Sequence, residues 1–241
     1  MPSRMLPEAG RTAIAWSAGK DCCLALLRLR ERGIDVETFV TMCEPDGRSK
    51  AHALPAELVA AQVAAFGRRW LPVRVPPGEY AAAFDATLRA LRETGHTRMA
   101  FGDVDLQAHR DWIEAACAKA GLQPLFPLWG EARDALAKEV IARGVRARVV
   151  VVDTRWLDAS FAGAHYDAAL LARLPAGVCP CGEEGEFHTF VFDAPGMSAP
   201  LSIRDGARRE AASSPPFTPT VHVFQEFVLD APAAHAGNPS P

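Results

Sequence analysis

The 241-residue chain has no excess of basic residues: Lys+Arg number 26 against Asp+Glu 29, a formal net charge of −3. Without surplus cations there is little to neutralise a phosphodiester backbone, so a general nucleic-acid-binding module is disfavoured. Long apolar runs are missing too. Stretches such as Val149–Val152 fall far short of the ~20 residues a membrane helix needs, so no membrane partner is expected. Met1–Arg11 carries Pro2, Arg4, Pro7 and Glu8 but no apolar stretch of secretory length. The expectation is a soluble, cytoplasmic protein. No internal repeat is visible.

Cysteines are few for a disulfide framework: six, at Cys22, Cys23, Cys43, Cys117, Cys179 and Cys181, in a chain long enough to build a core without staples. Cys179 and Cys181 form a C-x-C pair, half of a metal site at most. No second Cys/His pair at finger-like spacing accompanies it.

What is present is an ordinary globular composition, 49% hydrophobic and 23% charged. From Thr12 to Leu128 short apolar runs alternate with longer amphipathic ones. Strands are predicted at Thr12–Trp16, Val36–Met42, Leu71–Val75, Arg98–Gly102 and Pro124–Leu128. Helices are predicted at Asp21–Arg32, Pro55–Trp70, Tyr80–Thr94 and Gln107–Ala120. That alternation means parallel βαβ units. Beyond it, Glu131–Arg143 and Tyr166–Leu174 read as helices. Arg146–Asp153, Phe187–Phe192, Leu201–Ile203 and Val221–Leu229 read as strands. Ala211–Pro219 has the composition of a linker, and Asp230–Pro241 that of a disordered tail. Trp112 and Trp129 are assigned to the core.

The most informative segment is Trp16-Ser17-Ala18-Gly19-Lys20-Asp21-Cys22, between the first strand and the first helix. In a parallel sheet this turn lies at a strand's carboxyl end, where ligands bind. Small residues and a helix start favour an anion, and Lys20 adds a mobile positive charge. A Walker loop fails, since Ile14 stands at its first Gly and Asp21 follows the Lys. A dinucleotide fingerprint fails because only Gly19 is present. A plain turn with Asp21 as helix cap is the bland alternative. A reactive thiolate at Cys22 or Cys23 is another, although no base stands near in sequence.

Two further segments stand out. Phe101-Gly102-Asp103-Val104-Asp105 closes a predicted strand, so Asp103 should point into the same crevice, and Pro127-Leu128-Trp129-Gly130 follows it. Cys181-Gly182-Glu183-Glu184-Gly185-Glu186-Phe187-His188-Thr189 crowds three carboxylates, a His and a Thr ahead of an apolar strand. Charges this dense cost stability unless a cation, a cationic substrate or solvent relieves them. His52, in the loop after the second strand, occupies another crevice position.

The first segment resembles the S-G-G-x-D-S loop of the PP-loop ATP pyrophosphatases, with Ser17, Gly19, Lys20 and Asp21 matching, Ala18 in place of a Gly and Cys22 in place of the last Ser. Ala18 is expected to be tolerable only at negative φ. With the G-D and G-E-x-G-E-F-H-T segments, the stretch Ile14–Asp193 resembles the diphthine–ammonia ligase family, in its bacterial branch. The resemblance implies an α/β fold: a PP-loop (HUP-like) sheet of five parallel strands with helices on both faces, plus a smaller α+β C-terminal domain. The corresponding boundaries are 10–130, 131–230 and a tail at 231–241.

The resemblance further implies ATP-dependent, AMP-forming amidation. ATP and Mg2+ are the expected cofactors, and ammonia and a small-molecule or protein-borne carboxylate the expected substrates; a homodimer is compatible. Ser17, Ala18, Gly19, Lys20, Asp21, Cys22, Met42, Gly102 and Asp103 would contact the nucleotide. Lys20 and Asp21 would be catalytic, and Asp21 the metal ligand. His52, Glu183, Glu186, His188 and Thr189 would orient the acceptor. Three alternatives stay open: RNA thiolation with Cys179 and Cys181 as sulfur carriers, nucleotide hydrolysis to AMP, and a non-catalytic nucleotide sensor.

Overall fold

The computed structural model describes residues 10–50, 52–212 and 220–230. The 231–241 tail and most of the Ala211–Pro219 linker lie outside the described residues, as do Met1–Ala9.

Five parallel strands form the first sheet: β1 (Arg11–Ala15), β2 (Thr38–Cys43), β3 (Arg69–Arg74), β4 (His96–Ala100) and β5 (Gln123–Leu125), in the order β3-β2-β1-β4-β5. The chain runs outward from β1 on one side, then returns to build the other side from β4. That reversal leaves a crevice at the carboxyl ends of β1 and β4, the usual ligand position in such sheets. Helices α1 (Lys20–Glu31), α2 (Ala56–Ala65), α3 (Tyr80–Glu93) and α4 (Gln107–Ala120) connect the strands.

Both faces of the sheet are covered, as parallel strands require. On one face Leu58, Val59, Val63 and Phe66 of the α2 region join Trp16, Phe39 and most of α1 in one apolar cluster. Trp16 packs 4.3 Å from Phe39 and 5.6 Å from Phe66, centroid to centroid. On the other face, α3 and α4 bring Phe84, Leu88, Ile113 and Cys117 onto Ala13, Val40 and Met99.

Helix α5 (Arg133–Ala142) leads into a second, antiparallel sheet. It contains β6 (Arg146–Asp153), β7 (Phe187–Asp193), β8 (Ile203–Ala212) and β9 (Val221–Leu229) in the order β7-β6-β9-β8. A short helix α6 (Ala168–Arg173) lies in the long β6–β7 connection. Val149–Val152, together with Phe187 and Phe190, belongs to the same apolar cluster as Trp16 and Leu24. The two sheets therefore share one core, with α1 inside it. This explains why Cys22 to Leu27 is apolar on every side: a helix walled in all round has no solvent face to keep polar.

Several expectations shift. Helix α2 stops at Ala65, and Gly67 at φ +65° turns the chain. Trp70, expected in the helix, instead pairs with Phe39 inside β3. The strand expected at Leu201–Ile203 begins only at Ile203 and runs to Ala212, taking Ala211 and Ala212 out of the expected linker. Its exposed, charged sequence hid it: β8 is an edge strand held by its ladder with β9 rather than by burial. Trp112 and Trp129 are half-buried rather than core, the latter under the Arg110 guanidinium at 4.6 Å.

Candidate functional site

The Ser17–Gly19 turn leaves β1 at the crevice and hands over to α1, whose N-cap is Gly19; Asp21 is therefore not the cap. The loop is tied down from behind. Gln62, fully buried in α2, accepts from Trp16 Nε1 at 2.8 Å and donates to the Ala18 carbonyl at 3.1 Å and the Val191 carbonyl at 2.5 Å. The Val191 amide donates to the Ala18 carbonyl at 3.0 Å, and the Lys20 amide donates to Thr189 Oγ1 at 3.1 Å. Strand β7 thus grips the loop that leaves β1 in the other sheet.

Ala18 has φ +68°, against the expectation of a negative angle. The backbone keeps the left-handed conformation that suits glycine, and the Ala methyl accepts strain of roughly 1–2 kcal/mol there. Its side chain is fully buried, facing the core rather than the crevice. Gly102 is required for a different reason. A Cβ at that position would stand 2.9 Å from the Cys22 amide nitrogen and 3.1 Å from the Asp21 carbonyl carbon, both backbone atoms. The first turn of α1 and the chain leaving β4 can approach this closely only with glycine there.

Two cavities flank the start of α1. The first, about 290 Å³, is bordered by Ser17, Asp21 and Cys22 from the first loop, Met42 and Lys50 from β2 and its loop, Tyr80, Gly102 and Asp103, and Glu183. The second, about 240 Å³, is bordered by Lys20, Asp21, His52, Glu183, His188 and Thr189 with neighbouring backbone. Asp21 and Glu183 border both.

Lys20 is not the mobile charge the sequence suggests. It is 2% exposed, and its Nζ donates to Asp21 Oδ2 at 2.7 Å, Asp21 Oδ1 at 3.0 Å and the Cys181 carbonyl at 2.5 Å. Burial, the largest single influence, opposes its charge, but Asp21 together with Tyr166 and Cys181 outweighs it, so the ammonium's affinity for its proton is raised. Glu183 goes the other way: burial, then the nearby Asp21 charge, push its carboxyl up to about 7. Asp103 is bonded to His109 Nδ1, an interaction that raises the imidazole's affinity for its proton.

His52 and His188 stack with centroids 4.7 Å apart and planes 23° from parallel. Burial and the Lys20 charge drive His188 down to about 4; burial, His188 and Lys20 drive His52 well below the usual histidine range. Both rings are neutral near pH 7.

Among the residues expected to contact substrate, Glu186 stands apart. It is fully buried and borders neither cavity. One carboxylate oxygen accepts from the Cys179 amide at 2.7 Å, the other from the Glu184 amide at 2.9 Å. These two bonds hold the turn that carries Glu183. Cys22 Sγ donates to the Gly19 carbonyl at 3.1 Å, and burial raises its thiol to about 11 and the Cys23 thiol well above its ordinary value, which counts against a thiolate at either position. Sequence reasoning missed Gln62, a lone amide among the apolar residues of α2 and thus a visible signal. It also missed Tyr80 and His109, whose roles appear only once α3 and α4 are placed.

Among the described residues no three His, Cys, Asp or Glu side chains converge as a metal site. A phosphate-bound Mg2+ needs only one or two protein carboxylates, and Asp21, Asp103 and Glu183 on the wall of the first cavity fit that demand.

A parallel sheet reversing at β1, a small-residue loop opening α1, and an acidic turn from an antiparallel sheet closing over it define a PP-loop-type α/β protein with an appended domain. Residues 10–124 match the family described as diphthamide synthase N-terminal domain, and residues 132–213 the diphthamide synthase C-terminal domain. The chain belongs to the diphthamide synthase family. It is similar to the diphthine–ammonia ligase of Mus musculus, 29% identical over 138 residues, which cover 52% of this chain and 50% of that one. It is also similar to that of Homo sapiens, 28% over 127 residues covering 49% and 46%, and to that of Danio rerio, 37% over 95 residues covering 34% of each. The matched region thus spans half or less of these relatives' length. No helix among the described residues is long and apolar enough to cross a membrane.

Proposed function

We propose that the chain is an ATP-dependent ligase that adenylates a carboxylate, releases pyrophosphate and transfers the acyl group to ammonia. The observation that carries this reading is the pair of cavities meeting at Asp21 and Glu183. One lies where the β1 loop can receive a nucleotide's phosphates; the other lies against the β7 motif, where an acceptor can reach the α-phosphate.

The division of labour follows from the contacts. Ser17 and the backbone at the start of α1 receive the departing pyrophosphate. Asp21 would hold Mg2+, which would supply charge neutralisation for the phosphates. Lys20, locked to Asp21 and to the Cys181 carbonyl, fixes the carboxylate's orientation and keeps the cavity wall electrostatically balanced. Met42, Gly102 and Asp103 border the nucleotide side; Thr189, His52 and His188 border the acceptor side. Closeness of the two bound substrates supplies the entropic share of the acceleration.

Sulfur transfer through Cys179 and Cys181 fits less well. Both thiols are buried, and burial pushes Cys181 to about 12, so it is not poised to ionise.

The test is incubation with ATP, Mg2+ and ammonium, adding either a diphthine-bearing protein or a panel of small carboxylates. AMP and pyrophosphate that appear only with a carboxylate, together with carboxylate-dependent exchange of labelled pyrophosphate into ATP, support ligation. AMP without any acceptor supports hydrolysis instead, and tight ATP binding without turnover supports a sensor.

A further inference from the structure

The first cavity is one-sided in charge. Asp21, Asp103 and Glu183 border it, and Lys50 is the sole Lys or Arg among the described residues that do. Asp21 is answered by Lys20 and Asp103 by His109, but neither base borders this cavity. Lys20 borders the second cavity, with its ammonium held by Asp21 and the Cys181 carbonyl. A polyphosphate entering beside three carboxyl groups is repelled unless a cation turns to meet it.

Lys50 is placed by its backbone and left free to move by its side chain. The chain leaving β2 folds back on itself: the Lys50 amide donates to the Met42 carbonyl at 2.9 Å, and the Glu44 amide to the Arg48 carbonyl at 2.7 Å. The Leu54 amide donates to Ser49 Oγ at 3.1 Å and closes the other side of the loop. These bonds set Lys50 beside Met42 on the cavity border. Arg48, the other cation of the loop, is committed elsewhere, to the Ala53 carbonyl at 3.0 Å and to Glu226 on β9 at 3.1 Å. Lys50 Nζ instead donates to Glu44 Oε1 at 2.6 Å, in a pair whose side chains are 27% and 44% exposed. An ion pair this open to water adds little to stability, so exchanging its partner costs little. The flexible stem of a lysine carries its ammonium to a new anion without moving the backbone, and an ammonium suits phosphate as a point charge.

We propose that Lys50 is a nucleotide-binding residue: its ammonium leaves Glu44 and bonds to the phosphate chain of ATP in the first cavity. ATP as the ligand comes from the ligase reading; Lys50, as the group that meets its charge, takes the part expected of Lys20 from the sequence.

The test is calorimetry of the full chain with Mg2+ and α,β-methylene-ATP, which keeps the charge of ATP but resists cleavage between its α- and β-phosphates, at several salt concentrations. Lys50→Met should raise the Kd about tenfold, the loss of one charge-assisted bond. It should also flatten the dependence of Kd on salt, because one ionic contact fewer is screened. Glu44→Gln removes the resting partner and should bind the nucleotide as tightly as wild type, or up to about threefold more tightly. An unchanged Kd in Lys50→Met overturns the proposal. So does a raised Kd with the salt dependence intact, which marks a structural effect on the cavity, and so does weaker binding by Glu44→Gln. In each of these cases the wild-type protein still binds nucleotide, and the ligase reading stands. No heat from wild type with either the analogue or ATP removes both.

Discussion

The amide of Lys20, in the first turn of the helix that leaves the parallel sheet, donates to the hydroxyl of Thr189 on the antiparallel sheet, 3.1 Å away. One of the few free N–H groups at a helix start is thereby used for joining the two sheets rather than for binding an anion. Replacing Thr189 by Val keeps the shape and removes the acceptor. We expect a loss of about 1–3 kcal/mol in urea unfolding, because a buried N–H is left unpaired, with most of it recovered by Thr189→Ser.

Lys20→Met strands the Asp21 carboxylate, which is mostly buried, together with the Cys181 carbonyl. Removing one partner of a buried pair costs about 3–5 kcal/mol, and the partial exposure of Asp21 places this case at the lower end. Chemical denaturation should show it, and AMP formation should fall with it because the acidic wall loses its counterion.

Gly102→Ala drives a methyl into the backbone of Asp21 and Cys22. Backbone cannot move aside cheaply, so the loop must shift. The expected outcome is loss of ATP binding in calorimetry with the protein still folded by circular dichroism.

Glu186→Gln should act on stability and not on substrate recognition. One of two buried backbone N–H groups meets an amide NH2 in place of an oxygen, a penalty of about 1–3 kcal/mol. KM values for surviving protein should stay within about twofold. A large selective rise in acceptor KM would show that the carboxylate reaches substrate after all.

Two titrations pull stability in opposite directions. Glu183, raised to about 7 in the fold from a reference near 4.5, is comfortable only when protonated. Its favourable contribution is complete below pH 4.5 and lost as pH climbs through 7. His188, lowered from 6.5 to about 4, contributes above pH 6.5 and is lost as pH falls through 4. Unfolding free energies measured from pH 4 to 8 should therefore show Glu183→Gln gaining on wild type toward high pH. His188→Gln should gain toward low pH.

Much of the parallel sheet could be read directly. Helix α4 falls at its expected limits, as do β6 and β9, because their periodicity and flanking turn residues agree. Strand β3 was blurred because Phe66-Gly67-Arg68-Arg69-Trp70 carries no clean alternation, and pairing with β2 decides its register. The loop motifs were legible as segments meeting in one crevice, and the structure gathers Ser17, Asp21, Cys22, Met42, Gly102 and Asp103 around one cavity. That Glu186 closes a turn was not legible, because a carboxylate that closes a turn and one that meets a ligand look the same in a string of letters.

What the order of residues determined by itself was local: which runs are strand and helix, that the first five strands are parallel, and where small residues make the turn between β1 and α1. Tertiary structure alone decided that Lys20 is pinned, that Ala18 sits in a left-handed conformation, and that His52 stacks on His188, 136 positions further along the chain. The physical reason is range. Periodicity and capping act within a few residues, whereas burial, charge pairing and ring stacking depend on which distant segments the shared core brings together.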